Sequence, residues 1–120
     1  MHRFGWAAAI IITFLAGVGV AASQEQDELL HHTKWPTTVE DAVRDFVLHV
    51  PAEAKTRVRD VKKEDLILLH FDWGMRIRNR YGLWRGNDKL ILSACGQPCH
   101  PDDASMKIIE AIWEEFRSRP

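Results

Sequence analysis

Two cysteines four residues apart, Cys95 and Cys99, are the first residues of this sequence that could carry chemistry. They lie in the loop C-G-Q-P-C-H-P, which ends at Pro101. In an oxidising compartment this pair predicts a disulfide, and closing so small a ring contributes about 2 kcal/mol. The alternative is a metal or redox site that uses Cys95, Cys99 and His100. Redox and haem-attachment motifs have two residues between the cysteines rather than three, and zinc needs a fourth ligand. We therefore predict a structural disulfide, with no cofactor and no metal.

Histidines and carboxylates form a second group of candidates, which consists of His70, Asp72, His100, Asp102 and Asp103. Catalysis by a histidine base needs a carboxylate that orients the ring. His70 and Asp72 are two residues apart, about 200° around a helix, so one metal does not readily take both. The sequence H-P-D-D is typical of a helix start, because proline fits the first turn and the dipole favours aspartate there. These points favour a hydrogen-bonded, packed His70 and a non-enzymatic protein.

Arginines with aromatic neighbours form the third group, in the sequence R-I-R-N-R-Y-G-L-W-R from 76 to 85. Such a group can bind phosphate, carboxylate or single-stranded nucleic acid. The candidate residues for contact with a ligand or partner are Arg76, Arg78, Asn79, Arg80, Trp84 and Arg85. Arg78 falls between Ile67 and Phe71 on an apolar side, so we expect an ion pair with Asp102, Asp103 or Glu110. Asn79 is expected to cap backbone groups near the helix end, and Trp84 to plug the following turn.

The charge balance limits the class of partner. Sixteen Lys and Arg against seventeen Asp and Glu give a net charge of -1. This balance excludes a strongly basic nucleic-acid binder. An apolar content of 46% with 28% charged residues is typical of a globular protein. The expected partner is therefore an unknown protein or small molecule, and no nucleic acid.

The first 23 residues are predicted to be a signal peptide. Arg3 is followed by an uncharged apolar run, Phe4 to Ala22, and small residues precede Gln24. The alternative is an uncleaved anchor, because nineteen residues at 1.5 Å each span about 28 Å. Both interpretations place the domain outside the cytoplasm, in the periplasm or secreted, and only the second involves the membrane. A polar linker, 24–34, follows.

Residues 35–118 are predicted to form one all-α domain of four or five helices that must position these candidates. Its centre is a helix from Glu64 to Tyr81, which is apolar on two sides and therefore predicted to be buried. One side carries Leu66, Leu69, His70, Trp73, Ile77 and Tyr81, and the other carries Ile67, Leu68, Phe71 and Met75. A narrow stripe of Asp65, Asp72, Arg76 and Asn79 is expected to face solvent, with Asp72 and Arg76 spaced for an ion pair.

Three stretches resemble a known family. They are W-P-T-T-V-E-D-A (35–42), L-H-F-D-W-G-M-R-I-R-N-R-Y-G-L-W-R-G-N (69–87) and H-P-D-D-A-S (100–105). Together they resemble a family of short, uncharacterised bacterial helical domains over most of Trp35 to Arg117. The family has no assigned activity, so the resemblance implies a fold unit and no mechanism. The C-G-Q-P-C stretch departs from the usual pattern, and no family function is attached to its cysteines.

The sequence thus predicts an exported, non-enzymatic helical module that binds a protein or ligand. The expected contact surfaces are the region from Arg76 to Arg85 and the loop from Cys95 to His100. Two alternatives remain open at this point. One is a metal-binding, redox or hydrolytic protein that uses the cysteine loop, and the other is a membrane-anchored interaction domain.

Overall fold

A computed structural model describes residues 29–119, and this part of the chain is all-helical, without strands. A short 3-10 turn, His32–Lys34, precedes helix α1, Val39–His49, and helix α2, Ala52–Arg59. A central helical segment then runs from Lys63 to Arg80, followed by α4, Asp88–Cys95, and α5, Pro101–Ser118. The predicted all-α class is confirmed. The predicted signal or anchor lies outside the described residues, and none of the described helices is long and apolar enough to cross a membrane.

The central segment changes its helical geometry twice. It begins as a 3-10 helix, Lys63–Leu69, continues as a π-helical turn, His70–Gly74, and ends as α-helix α3, Met75–Arg80. A Cβ at Gly74 would lie 2.8 Å from Nη1 of Arg78, so a larger residue there would require the guanidinium to shift. The prediction of one helical segment over this region is therefore right in extent. The directions in which its side chains point differ from those of a regular α-helix, because the number of residues per turn varies along the segment.

The core lies between α5 and the other helices. Ile108, Ile109 and Ile112 of α5 are fully buried, and they form one cluster with Phe46 of α1 and Ile77 of α3. Helix α5 contacts α1, α2, α4 and every part of the central segment. It therefore holds in place the segment that carries most of the candidate residues.

Local signals set the ends of the last two helices. Asn87 caps α4, since its Oδ1 accepts a hydrogen bond from the amide of Leu90 at 3.3 Å. Pro101 occupies the first turn of α5, as predicted. Gly82 ends the central segment with a φ of 69°, and a Cβ there would clash with the ring of Trp35.

The prediction that the central segment is buried on both sides is wrong. Trp73 and Ile77 are buried, but the second apolar group is exposed to solvent: Ile67 59%, Leu68 76%, Phe71 79% and Met75 47%. The core elements pack on one side of the segment only. We call these four exposed side chains the apolar stripe.

Candidate binding site

Arg78 is a buried structural residue that joins the central segment to α5. Its Nη1 donates a hydrogen bond to Oγ of Ser105 at 2.9 Å, and its Nη2 donates to the backbone oxygen of His70 at 3.3 Å. Its Nε lies 3.5 Å from Oδ1 of Asp102, which is the predicted internal ion pair. Because its guanidinium group already has hydrogen-bond and ion-pair partners inside the protein, Arg78 is not available to contact a ligand.

Arg80 is held by a carboxylate of α1. Its Nε donates to Oδ2 of Asp45 at 2.8 Å, and the hydroxyl of Tyr81 donates to the same oxygen at 2.7 Å. Burial alone would raise the pKa of Asp45, but the hydrogen bonds from Arg80 and Tyr81 lower it below its ordinary value. Burial, aided by the carboxylate, raises the pKa of Tyr81 far above its ordinary value. This trio fixes α1 against the end of the central segment.

The turn after Tyr81 exposes its tryptophan. Trp84 is 55% exposed and meets the His100 ring edge-on at 5.2 Å, so the prediction that it plugs the turn is wrong. Leu83, which is 3% exposed, fills that place instead. Arg85 stacks over the ring of Trp35 and donates a hydrogen bond to the backbone oxygen of Asn79 at 2.8 Å.

Of the five predicted histidines and aspartates, only His70, His100 and Asp102 lie close together. Asp102 Oδ2 lies 4.0 Å from Nε2 of His70 and 3.6 Å from Nδ1 of His100, whereas neither Asp72 nor Asp103 joins this group. Neither distance is a hydrogen bond, and Nδ1 of His100 already accepts one from the amide of Asp102 at 3.0 Å. His100 thus caps α5, and the geometry does not form a histidine base oriented by a carboxylate.

The two cysteines lie at disulfide distance, as predicted, with their Cα atoms 6.4 Å apart. The disulfide links the end of α4 to the residue before the cap of α5. Its sulfurs are therefore not available as thiolate ligands beside His100. Within residues 29–119, no group of three His, Cys, Asp or Glu side chains is placed to hold a metal ion.

A cleft of about 370 Å³ opens between α1 and the end of the central segment, beside the apolar stripe. Its walls include the apolar side chains of Phe46, Val50 and Met75, and its polar lining includes His49, Arg76 and Asn79. Arg80 lies in the same lining, with its guanidinium held by Asp45. Of the six residues predicted to contact a ligand, the structure therefore brings Arg76, Asn79 and Arg80 together.

The polar groups of this cleft keep unused hydrogen-bonding capacity. Among the described residues, neither the Arg76 guanidinium nor the Asn79 amide makes a hydrogen bond or ion pair, and Arg76 lies 5.7 Å from the Phe46 ring centroid. The predicted pair between Asp72 and Arg76 and the predicted capping by Asn79 are thus absent from this part of the chain. The π-helical turn explains the first difference, because it changes the angle between positions 72 and 76. His49 donates through Nδ1 to the backbone oxygen of Asp45 at 2.7 Å, which leaves Nε2 unused.

The chemistry of this cleft suits a carboxylate attached to an apolar group. A guanidinium and an amide offer donors in two directions, and the adjoining walls are apolar. Sequence reasoning missed His49, Val50 and Met75, which come from two separate elements. Their only signal in the sequence is that Met75 immediately precedes Arg76.

Residues 29–119 thus form a small all-helical domain with an exposed apolar stripe beside a cleft lined in part by Arg76. The model of a family described as "Domain of unknown function (DUF6794)" matches residues 35–116, and the chain therefore belongs to that family. No curated protein and no solved structure matches the chain.

Proposed function

We propose that this chain is an exported, non-enzymatic module that docks a protein partner on the apolar stripe and the adjoining cleft. The observation that carries the proposal is the exposure of four large apolar side chains within nine residues of one helical segment. Exposed apolar patches mark interaction sites, and these four residues follow one another within nine positions of a single helical segment.

The cleft supplies the polar part of the same interface. Arg76 stands at the end of the stripe next to Met75, with no ion pair to another described residue. A partner that places a carboxylate on this guanidinium and apolar side chains on the stripe satisfies both groups at once. Aromatic, Met and Arg side chains are the types enriched at protein interfaces, and Phe71, Met75 and Arg76 supply all three.

Two features support the exported location in this proposal. The sequence begins with a signal-like segment, and a disulfide-distance pair is compatible with an oxidising compartment.

Site-specific photocrosslinking in intact producing cells tests the proposal. The full chain carries the photoreactive residue p-benzoylphenylalanine at position 71, which preserves an aromatic side chain. Position 92 is the matched control, because Leu92 is also exposed, at 46%, but lies on α4. We expect a covalent protein adduct from position 71 and none from position 92. Absence of an adduct from position 71 would overturn the proposal.

A further inference from the structure

We propose that the partner on the apolar stripe is a second copy of this chain, with the two central segments antiparallel about a two-fold axis near Phe71. This inference rests on the proposed function, because it names the occupant of the same face. It follows from how charges flank the stripe.

The two ends of the stripe carry opposite charges that lack partners. Asp65 precedes the stripe and Arg76 follows it, and both are exposed. Neither side chain makes an ion pair with another described residue. Asp65, Leu68, Asp72 and Arg76 are all exposed, so the charged groups lie on the solvent-facing side of the segment together with the stripe.

An antiparallel pair brings these unpartnered charges together. A two-fold axis at Phe71 places Ile67 of one copy opposite Met75 of the other, and Phe71 opposite itself. Asp65 of one copy then lies within a few ångströms of the level of Arg76 in the other, because they stand six and five residues from the axis and the rise is about 2.0 Å per residue in a 3-10 helix and about 1.5 Å in an α-helix. The symmetry makes this contact twice, as in any isologous interface. The exposed Asp65 before the stripe and the exposed Arg76 after it are therefore complementary when two copies pair in opposite directions.

The size of the stripe fits a weak, reversible dimer. Its four side chains expose on the order of 500 Å² per copy, as large as the biggest apolar patch of a typical monomer. Two such patches with their polar rim approach the lower end of specific interfaces, about 1,200 Å².

One side chain opposes the association. Asp72 is exposed and lies one residue from the axis, so the arrangement brings two copies of this carboxylate near each other. Like charges at this distance repel. Asp72→Asn should therefore increase the yield of adducts that join two copies.

Charge exchange between positions 65 and 76 tests the arrangement. Cells produce two differently tagged copies of the full chain, both with p-benzoylphenylalanine at position 71, and the yield of adducts carrying both tags is measured. Asp65→Arg and Arg76→Asp should each lower that yield about ten-fold, because the symmetry makes two repulsive contacts from one substitution. The double variant restores both pairs and should return the yield to within about two-fold of the parent. Lys89→Asp, an exposed change on α4, is the control and should have no effect.

The outcomes separate this inference from the proposed function. A doubly tagged adduct that falls in both single variants and returns in the double variant supports the two-fold dimer. An adduct that contains a different protein overturns the second copy and leaves the docking face in place. A doubly tagged adduct that ignores both charge changes overturns the antiparallel arrangement. If position 71 gives no adduct, both proposals fail.

Discussion

The two sides of the central segment carry similar residue types but differ in burial: the inward side is packed into the core, and the outward side is exposed to solvent. Inward, Trp73 is 4% exposed and Arg78 is 6% exposed, and the arginine reaches Ser105, His70 and Asp102. Outward, Phe71 is 79% exposed, and Arg76 has no ion pair within the described residues. Each side of the segment thus carries one of these aromatic residues and one of these arginines. Packing within the domain covers one side, and the other is exposed to solvent.

This difference separates stability from binding. Side chains on the inward side hold α5 and α1 against the segment, and their loss should unfold the domain. Side chains on the outward side touch little of the fold, and their loss should leave the fold intact.

The largest contrast is expected between the two aromatic side chains. Trp73→Ala removes a buried ring that packs against Phe46 and Phe116, and it should lower the free energy of unfolding by about 3–5 kcal/mol. Phe71→Ala should change it by less than about 0.5 kcal/mol, because surface substitutions have small effects. Urea unfolding of both variants measures this. A destabilisation by Phe71→Ala as large as that by Trp73→Ala would show that the stripe is part of the core.

The two arginines should differ in the same direction by a smaller amount. Arg78→Ala leaves the Asp102 carboxylate and the Ser105 hydroxyl without their partner, and should cost about 2–4 kcal/mol. The figure lies below that for a fully buried pair because the Asp102 side chain is 42% exposed. Arg76→Ala should be neutral within about 0.5 kcal/mol. A thermally neutral Arg78→Ala would contradict the internal ion pair.

Asp45 should make a smaller and pH-dependent contribution. Asp45→Asn weakens the bonds from Arg80 and Tyr81, and should cost about 1–2 kcal/mol at pH 7. Because folding lowers the pKa of Asp45 from 3.8, its stabilisation is present above that pH and is lost as the pH falls below it. The difference in unfolding free energy between the parent and Asp45→Asn should therefore shrink between pH 5 and pH 2. A difference that grows on acidification would contradict the lowered pKa.

Local signals in the sequence account for much of the fold. Asn87 and Pro101 mark helix starts through capping and backbone geometry, which depend on a few neighbouring residues. The run from 64 to 81 marks one helical segment through its lack of helix breakers other than Gly74. An internal ion pair of Arg78 was predicted with three candidate carboxylates, and the structure has Asp102 as the partner. The sequence placed Arg78 on the side of Ile67 and Phe71, whereas these two residues are exposed and Arg78 is buried.

The outward face could not be predicted in the same way. Helical spacing groups Ile67 with Phe71 but does not say whether another element covers them, since coverage depends on long-range packing. The π-helical turn at His70–Gly74 further changes which side each residue faces. The cleft joins Val50 of α1 to Met75 of the central segment, and no local pattern links these positions. Trp84 shows the same limit, because a large aromatic residue in a turn fits a plug and an exposed ring equally well.

Hydroxyl-radical footprinting in intact cells, compared with dilute purified protein, tests the docking face most directly. The account predicts that Phe71 and Met75 react readily in the dilute protein and are several-fold protected in cells. Trp84, which is 55% exposed and lies outside the stripe, provides an internal reference and should react equally in both. Equal reactivity of Phe71 in cells and in dilute solution would contradict the claim that this face is covered by a partner.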